Sequence, residues 1–221
     1  MNRVAVWDLP LRLFHWLLVL LVVVSWVSVS IGGNAMQIHV LSGYAVLTLV
    51  LFRILWGFVG GRHARFASFV RGPATAIAYL RALRRGEPTQ PQLGHNPAGG
   101  WSVILMLWVL LVQAGTGLFS NDDIATEGPL AKLVSKALSD RISGIHQLNV
   151  KLLYVLIALH LAAVAFYFFR KRENLVKPMF TGFKEGVAHP GDSAQRGGSV
   201  WLAVPLLAAC AGAVYLLAHS A

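Results

Sequence analysis

The sequence predicts an all-α integral membrane protein, and its composition and its apolar stretches are the reasons. Of 221 residues, 56% are hydrophobic and 13% are charged, whereas an ordinary soluble domain has about 25% charged residues. The mean hydropathy is +0.62. Five stretches approach the length of about 20 apolar residues that a helix needs to cross the hydrocarbon core. They are roughly 11–31, 38–58, 101–119, 146–169 and 200–219. The composition excludes a soluble globular protein.

The first stretch is predicted to be a retained transmembrane helix. It begins after Asp8-Leu9-Pro10, where the aspartate can cap the helix and proline is tolerated in the first turn. Its apolar run is longer than that of a typical signal peptide, and no small-residue cleavage motif follows Ser30.

The positive charges predict the orientation of the five crossings. The net charge is +10, and fifteen of the nineteen Lys and Arg residues lie in the N-terminal arm, in segment 53–100 and in segment 170–199. Segment 120–145 has three cations and four acidic residues. Because Lys and Arg are retained on the cytoplasmic side, we expect the N-terminus inside and the C-terminus outside. The basic loops then face anionic membrane lipid, and nucleic acid is not expected as a partner.

Two segments predicted to lie on the cytoplasmic side are not transmembrane helices. Segment 73–85 starts with proline, ends with cations and has Ile77 and Leu80 at helical spacing. It therefore predicts an interfacial helix on the inner leaflet, although a solvated basic loop is the alternative. Segment 176–199 is predicted to be a cytoplasmic linker before the last helix.

Histidine is the metal ligand that this sequence offers. The single cysteine, Cys210, lies in an apolar run and leaves no thiolate set for a cluster. Four histidines lie in or beside apolar helices: His15, His39, His146 and His160. A lone histidine in such a helix is most often a packing residue. Four together favour a cofactor or an ion path, because ionisable groups inside the membrane are costly.

The spacing of these histidines predicts two ligand pairs. His146 and His160 are 14 residues apart, which returns them to within about 40° of one helix face and separates them by about 21 Å. With the predicted orientation, His39 pairs with His146 on the outer side and His15 with His160 on the inner side. Two opposed imidazoles in a dry helix bundle suit a six-coordinate b-type haem. Zinc would require further Cys, His or carboxylate ligands at each depth, and the sequence supplies none.

Three further residues are candidates for contacts with such a cofactor. Gly43 lies one turn after His39, where a missing side chain lets a flat ring approach; close helix packing is the alternative. Arg53 follows His39 by 14 residues and can meet an inner propionate, or it can be a positive-inside anchor. Lys151, five residues into the predicted fourth helix, needs an anion such as an outer propionate or a path to the surface.

Several motifs occur together in this chain: Leu13-Phe14-His15-Trp16, then Ile38-His39-Val40-Leu41-Ser42-Gly43, then Arg53, and the interval between His146 and His160. This combination resembles the bacterial cytochrome b561 family, which includes the b-type subunits of nickel–iron hydrogenases. The resemblance covers roughly residues 5–175 and implies a four-helix dihaem bundle, which we assign to residues 1–175. The apolar stretch 200–219 is predicted to be an additional transmembrane helix that has no place in that four-helix core. The resemblance also implies two haem b groups with the four histidines as axial iron ligands, in the bacterial inner membrane.

A loop before the third predicted helix also looks like a segment found in some of these cytochromes. It reads Gly94-His95-Asn96-Pro97, a turn into a helix start. His95 can contact a propionate or hydrogen-bond a quinone carbonyl, or it is a loop residue without a role.

The leading hypothesis is electron transfer between an external redox donor and the quinone pool. Because the chain contains no soluble redox domain, a periplasmic c-type cytochrome, or a dehydrogenase or hydrogenase subunit, is the expected partner. A second hypothesis is superoxide oxidation with quinone as acceptor and no protein partner, so enzymatic activity is left open. A third is a histidine-lined metal or proton transporter, which predicts inward carboxylates that the five apolar stretches lack.

Overall fold

The computed structural model describes residues 3–88, 92–124, 126–185 and 197–220. Two short strands within this part are β1 (Arg3–Ala5) and β2 (Phe183–Glu185). The helices are α1 (Leu9–Ile31), α2 (Met36–Val59), α3 (Phe66–Phe69), α4 (Pro73–Arg84), α5 (Pro97–Gly117), α6 (Lys136–Arg170), α7 (Val176–Thr181) and α8 (Val200–Ala218).

Five of these helices are long and apolar enough to cross a membrane: α1, α2, α5, α6 and α8. The predicted all-α membrane class is therefore confirmed. Two helices begin four or more residues before the apolar stretches indicated. Helix α5 starts at Pro97 because the Asn96 side chain caps it, its Oδ1 accepting from the Gly99 amide at 2.7 Å. Helix α6 starts at Lys136, so Lys151 lies fifteen residues into the helix and the prediction of five is wrong.

The chain forms two compact units, each assembled from three segments. The first unit contains Met1–Leu13, Leu55–Leu105 and Ala158–Ala203, and the second contains Phe14–Ile54, Met106–Ile157 and Val204–Ala221.

In the first unit the N-terminal arm pairs with the segment after α7. Strands β1 and β2 are antiparallel, with Val4 opposite Lys184. The Lys184 ammonium contacts the Glu173 carboxylate at 2.5 Å and the Gln92 carbonyl at 2.6 Å. The Lys177 ammonium, 3.0 Å from Glu185, lowers the pKa of that carboxyl. These contacts connect the N-terminal arm and the segment after α7 to the loop before α5.

Asp8 anchors the start of α1 in the same unit. Its carboxylate accepts hydrogen bonds from the amides of Leu11 at 2.8 Å and Gly61 at 3.1 Å, and from the Trp56 indole at 3.2 Å. The predicted helix cap is therefore present, and it also holds the loop after α2. Trp56 is completely buried.

Segment 73–85 contains helix α4, with Ile77 and Leu80 about half exposed. The Tyr79 hydroxyl on this helix shares a hydrogen bond with the Tyr167 hydroxyl on α6, and Asn96 donates to the same Tyr167 oxygen at 2.9 Å. The position of α4 at the membrane surface stays a prediction.

In the second unit the last helix contributes to the apolar core. Val214 on α8 is buried with Leu47, Leu118 and Leu130. The loop after α5 is attached to α6, because the Asn121 backbone amide donates a hydrogen bond to the Ser143 hydroxyl at 3.0 Å. The additional helix is thus packed into this unit.

Candidate functional site

Two of the four predicted histidines face each other in the second unit. The ring centroids of His39 on α2 and His146 on α6 are 6.3 Å apart, and the ring planes are inclined by 85°. Metal–imidazole bonds of about 2 Å place two opposed rings with centroids about 6 Å apart. The spacing therefore fits a single metal ion between the two imidazoles.

A backbone carbonyl on α1 orients His39. The Nδ1 atom lies 3.0 Å from the Ser25 carbonyl oxygen and 3.1 Å from the Ser25 hydroxyl. Since a carbonyl only accepts, the bond to it requires Nδ1 to carry the proton. The Nε2 lone pair is then available for a metal, as is usual for ligating histidines held by a carbonyl.

His146 has the same arrangement at its Nδ1 atom, against α5, but its Nε2 atom also has a partner. Its Nδ1 atom lies 2.9 Å from the Gln113 carbonyl oxygen and 3.1 Å from the Thr116 hydroxyl. The Gln113 side-chain amide lies 3.0 Å from Nε2. Asn149, one turn after His146, donates to the Gln113 side-chain oxygen at 2.8 Å and to the Val109 carbonyl at 2.9 Å. A polar network inside apolar helices thus surrounds the second imidazole.

Two glycines near this pair differ in how much space surrounds them. A Cβ at Gly43 would meet no atom within 4 Å, so the face of α2 one turn after His39 is open. A Cβ at Gly117 would lie 3.2 Å from Cε1 of His146, so α5 approaches the imidazole closely there. The first glycine was expected from the sequence and the second was not.

The other two predicted ligands lie in different units. His15 is on α1 in the second unit, with its ring edge-on to Trp16 at 4.9 Å. His160 is on α6 in the first unit. The pairing of His15 with His160 therefore stays a prediction.

The predicted cationic residues differ sharply in burial. Arg53 is 1% exposed, so its guanidinium is enclosed by protein and does not lie at the surface. Lys151 is exposed on α6. The propionate contacts expected for both residues stay predictions.

His95 is packed in an aromatic cluster of the first unit. Its ring centroid lies 4.7 Å from that of Trp7 and 4.6 Å from that of Phe69. The sequence indicated no role for His63. In the structure its imidazole packs closely against Gly94, where an added Cβ would lie 3.2 Å from Nδ1. The contact of His95 with a propionate or quinone stays a prediction.

Four polar residues around His39 and His146 are absent from the predicted set: Ser25, Gln113, Thr116 and Asn149. The last three carry a signal that the sequence offers, since polar side chains in apolar helices usually mark a functional interior. The backbone carbonyl groups of Ser25 and Gln113 cannot be recognised in the sequence, because every residue has a backbone carbonyl.

The five long apolar helices define a multi-pass membrane protein, and its second unit brings two histidines from different helices close together. A family model described as prokaryotic cytochrome b561 matches residues 6–182. The chain belongs to this family of b-type cytochromes, which transfer electrons in the membrane and bind b-type haem.

Curated relatives carry two kinds of name. A probable Ni/Fe-hydrogenase B-type cytochrome subunit of Azotobacter chroococcum mcd 1 is 25% identical over 83% of this chain and 89% of its own length. Its counterpart in Azotobacter vinelandii is 29% identical over 44% of this chain and 50% of its own length. A probable superoxide oxidase CybB of Yersinia pestis is 27% identical over 75% of this chain and 90% of its own length. No solved structure matches the chain.

Proposed function

We propose that this protein is a dihaem cytochrome that carries electrons between a donor outside the bacterial inner membrane and the quinone pool. The observation that carries the proposal is the His39 and His146 pair, with ring centroids 6.3 Å apart and a carbonyl at each Nδ1 atom. When bound, haem iron supplies one-electron chemistry.

The side chains of the second unit would hold the outer haem. His39 and His146 would bind its iron through Nε2, and the Ser25 and Gln113 carbonyls would keep each ring in the required tautomer and orientation. Gly43 would leave space for the porphyrin plane beside α2. In the membrane, the surrounding apolar helices would exclude water from this position.

His15 and His160 would hold the inner haem, with Arg53 facing a propionate. In an unbroken α6 the two predicted ligands His146 and His160 are about 21 Å apart along the helix. The histidines of this helix would thus place one haem toward each surface, which suits electron transfer across the membrane.

Two donors are supported by the comparisons. The relatives named as hydrogenase cytochrome subunits support a partner enzyme, and the relative named superoxide oxidase supports a small donor without a partner. Consumption of superoxide by the purified protein, at a rate that added quinone increases because quinone accepts the electrons, would favour the second. Copurification with a dehydrogenase or hydrogenase from native membranes would favour the first.

The haem proposal is tested by a pyridine haemochrome assay on purified protein and on four alanine variants. We expect two b haems per chain. His39→Ala and His146→Ala should deplete one redox component, and His15→Ala and His160→Ala the other. His219→Ala, a histidine beside Tyr215 near the end of α8, is the matched control and should retain both haems. One haem per chain in the unmodified protein would refute the dihaem proposal.

A further inference from the structure

A cavity of about 320 Å³ in the first unit lies outside the histidine site. One wall is the segment after α2, with Arg62 and Arg65, and the opposite wall is the segment leading into α8, with Gly197 and Ser199. Val59 in the last turn of α2 and Leu202 in the first turn of α8 complete it. The cavity is therefore formed where two apolar helices meet polar loops.

The charge of the cavity is positive. Arg62 and Arg65 are exposed, and among the described residues neither forms an ion pair with a carboxylate. None of the described residues that line it is acidic. The nearby Asp8 carboxylate already accepts hydrogen bonds from the Leu11 and Gly61 amides and from the Trp56 indole.

The opposite wall is held in place by a close approach of the backbone. A Cβ on Gly198 would lie 2.3 Å from Cζ2 of Trp56 and 2.7 Å from the Asp8 carboxylate. Only glycine fits at this contact. The segment before α8 is thus pressed against the loop after α2, and the cavity is a consequence of this packing.

Part of the cavity lining is apolar and belongs to two candidate membrane helices. Val59 is 52% exposed and Leu202 is 44% exposed, and both belong to helices long enough to cross the membrane. Two guanidinium groups beside exposed apolar side chains match a ligand with a phosphate head and acyl chains. Basic pockets between transmembrane helices on the cytoplasmic side commonly bind such headgroups.

We propose that this cavity binds an anionic phospholipid, with Arg62 and Arg65 at the phosphate and Val59 and Leu202 along the acyl chains. The ligand pairs with arginine because guanidinium donors match phosphate oxygens in a bidentate geometry. This site is independent of the haem proposal, since none of the four histidines is among the residues that line the cavity.

The test measures lipid binding to full-length protein by native mass spectrometry in detergent, with phosphatidylglycerol and phosphatidylcholine as probes. We expect a preference for phosphatidylglycerol. Each arginine lost from an anionic-lipid contact weakens binding about fivefold, so Arg62→Gln with Arg65→Gln should weaken it roughly 25-fold. The matched control, Arg81→Gln with Arg84→Gln on α4, removes the same charge outside the cavity and should change binding less than twofold.

A second variant separates the cavity from general surface charge. Ser199 precedes α8, and its carbonyl accepts from the Leu202 and Ala203 amides. Ser199→Asp keeps a good helix cap but adds a negative charge to the cavity, so it should abolish the lipid preference while thermal stability is kept.

Three results would overturn the proposal. They are equal weakening by both arginine pairs, equal binding of the two lipids, and displacement of the lipid by millimolar inorganic phosphate, which would indicate a site for the free anion. Haem content is measured on the same samples, and its loss or retention bears only on the haem proposal.

Discussion

Replacing Arg53 by glutamine tests whether this residue sets the potential of the inner haem. The side chain is 1% exposed on α2, so water screens its charge poorly. A positive charge stabilises the reduced form of a nearby iron because reduction adds an electron. Arg53→Gln should therefore lower the midpoint potential of the haem proposed for His15 and His160.

The size of the shift follows from distance and dielectric constant. A guanidinium beside a propionate is about 10 Å from the iron, and at an effective dielectric constant of about 20 the interaction is about 1.7 kcal/mol. For a one-electron couple this corresponds to about 70 mV. Helix α2 runs unbroken over Met36–Val59, so Arg53 is about 21 Å along the axis from His39. The shift at the outer haem should then be about 30 mV or less, and salt reduces it further.

The assay is a spectroscopic redox titration of purified Arg53→Gln protein beside the unmodified protein. Arg53→Lys is the matched control, because it keeps the charge and should leave the inner potential within about 20 mV of its original value. Haem content should remain close to two per chain in both variants. An unchanged inner potential in Arg53→Gln, with both haems present, would refute the assignment of Arg53 to the inner haem.

Three further predictions concern the outer site, the start of α1 and the topology. Asn149→Leu releases the Gln113 side chain and should shift only the potential of the haem at His39 and His146, by about 40 mV or less; a redox titration with equal shifts at both haems would contradict this. Asp8→Ala removes a helix cap and leaves the buried Trp56 indole without its acceptor, so it should lower stability by about 2–4 kcal/mol; thermal unfolding within the range of a surface variant would contradict it. Reporter fusions after Gly86 and at the C-terminus should give opposite signals, and equal signals would show that α8 does not cross the membrane.

The apolar pattern predicts some helix ends well and others poorly, for a physical reason. Helix α8 begins at Val200, where its apolar stretch begins, because lipid contact and helix formation start together there. Helix α6 begins at Lys136, ten residues before its apolar stretch. Residues 136–145 are polar enough to leave the hydrocarbon region and are still helical. Hydropathy reports the contact with lipid, and it does not report the hydrogen bonding that defines a helix.

In the candidate site, some side chains can be recognised from the sequence and the backbone contacts cannot. His39 and His146 are recognisable because histidine in an apolar helix is costly, and the sequence pairs them by their predicted depth. Gln113 and Asn149 are recognisable for the same reason, because an amide side chain in an apolar helix is also costly. The bonds from Nδ1 to backbone carbonyls leave no trace in the sequence, because they depend on how neighbouring helices pack.

Those carbonyl bonds explain how the pair can be oriented before any cofactor binds. His39 on α2 is held by Ser25 on α1, and His146 on α6 is held by the Gln113 carbonyl on α5. Each imidazole is thus oriented by the long helix that precedes its own in the chain. A helical hairpin brings its two helices together locally, so each hairpin can fix one ring by itself. Docking of the two hairpins then only has to set the separation of two rings whose tautomers are already determined.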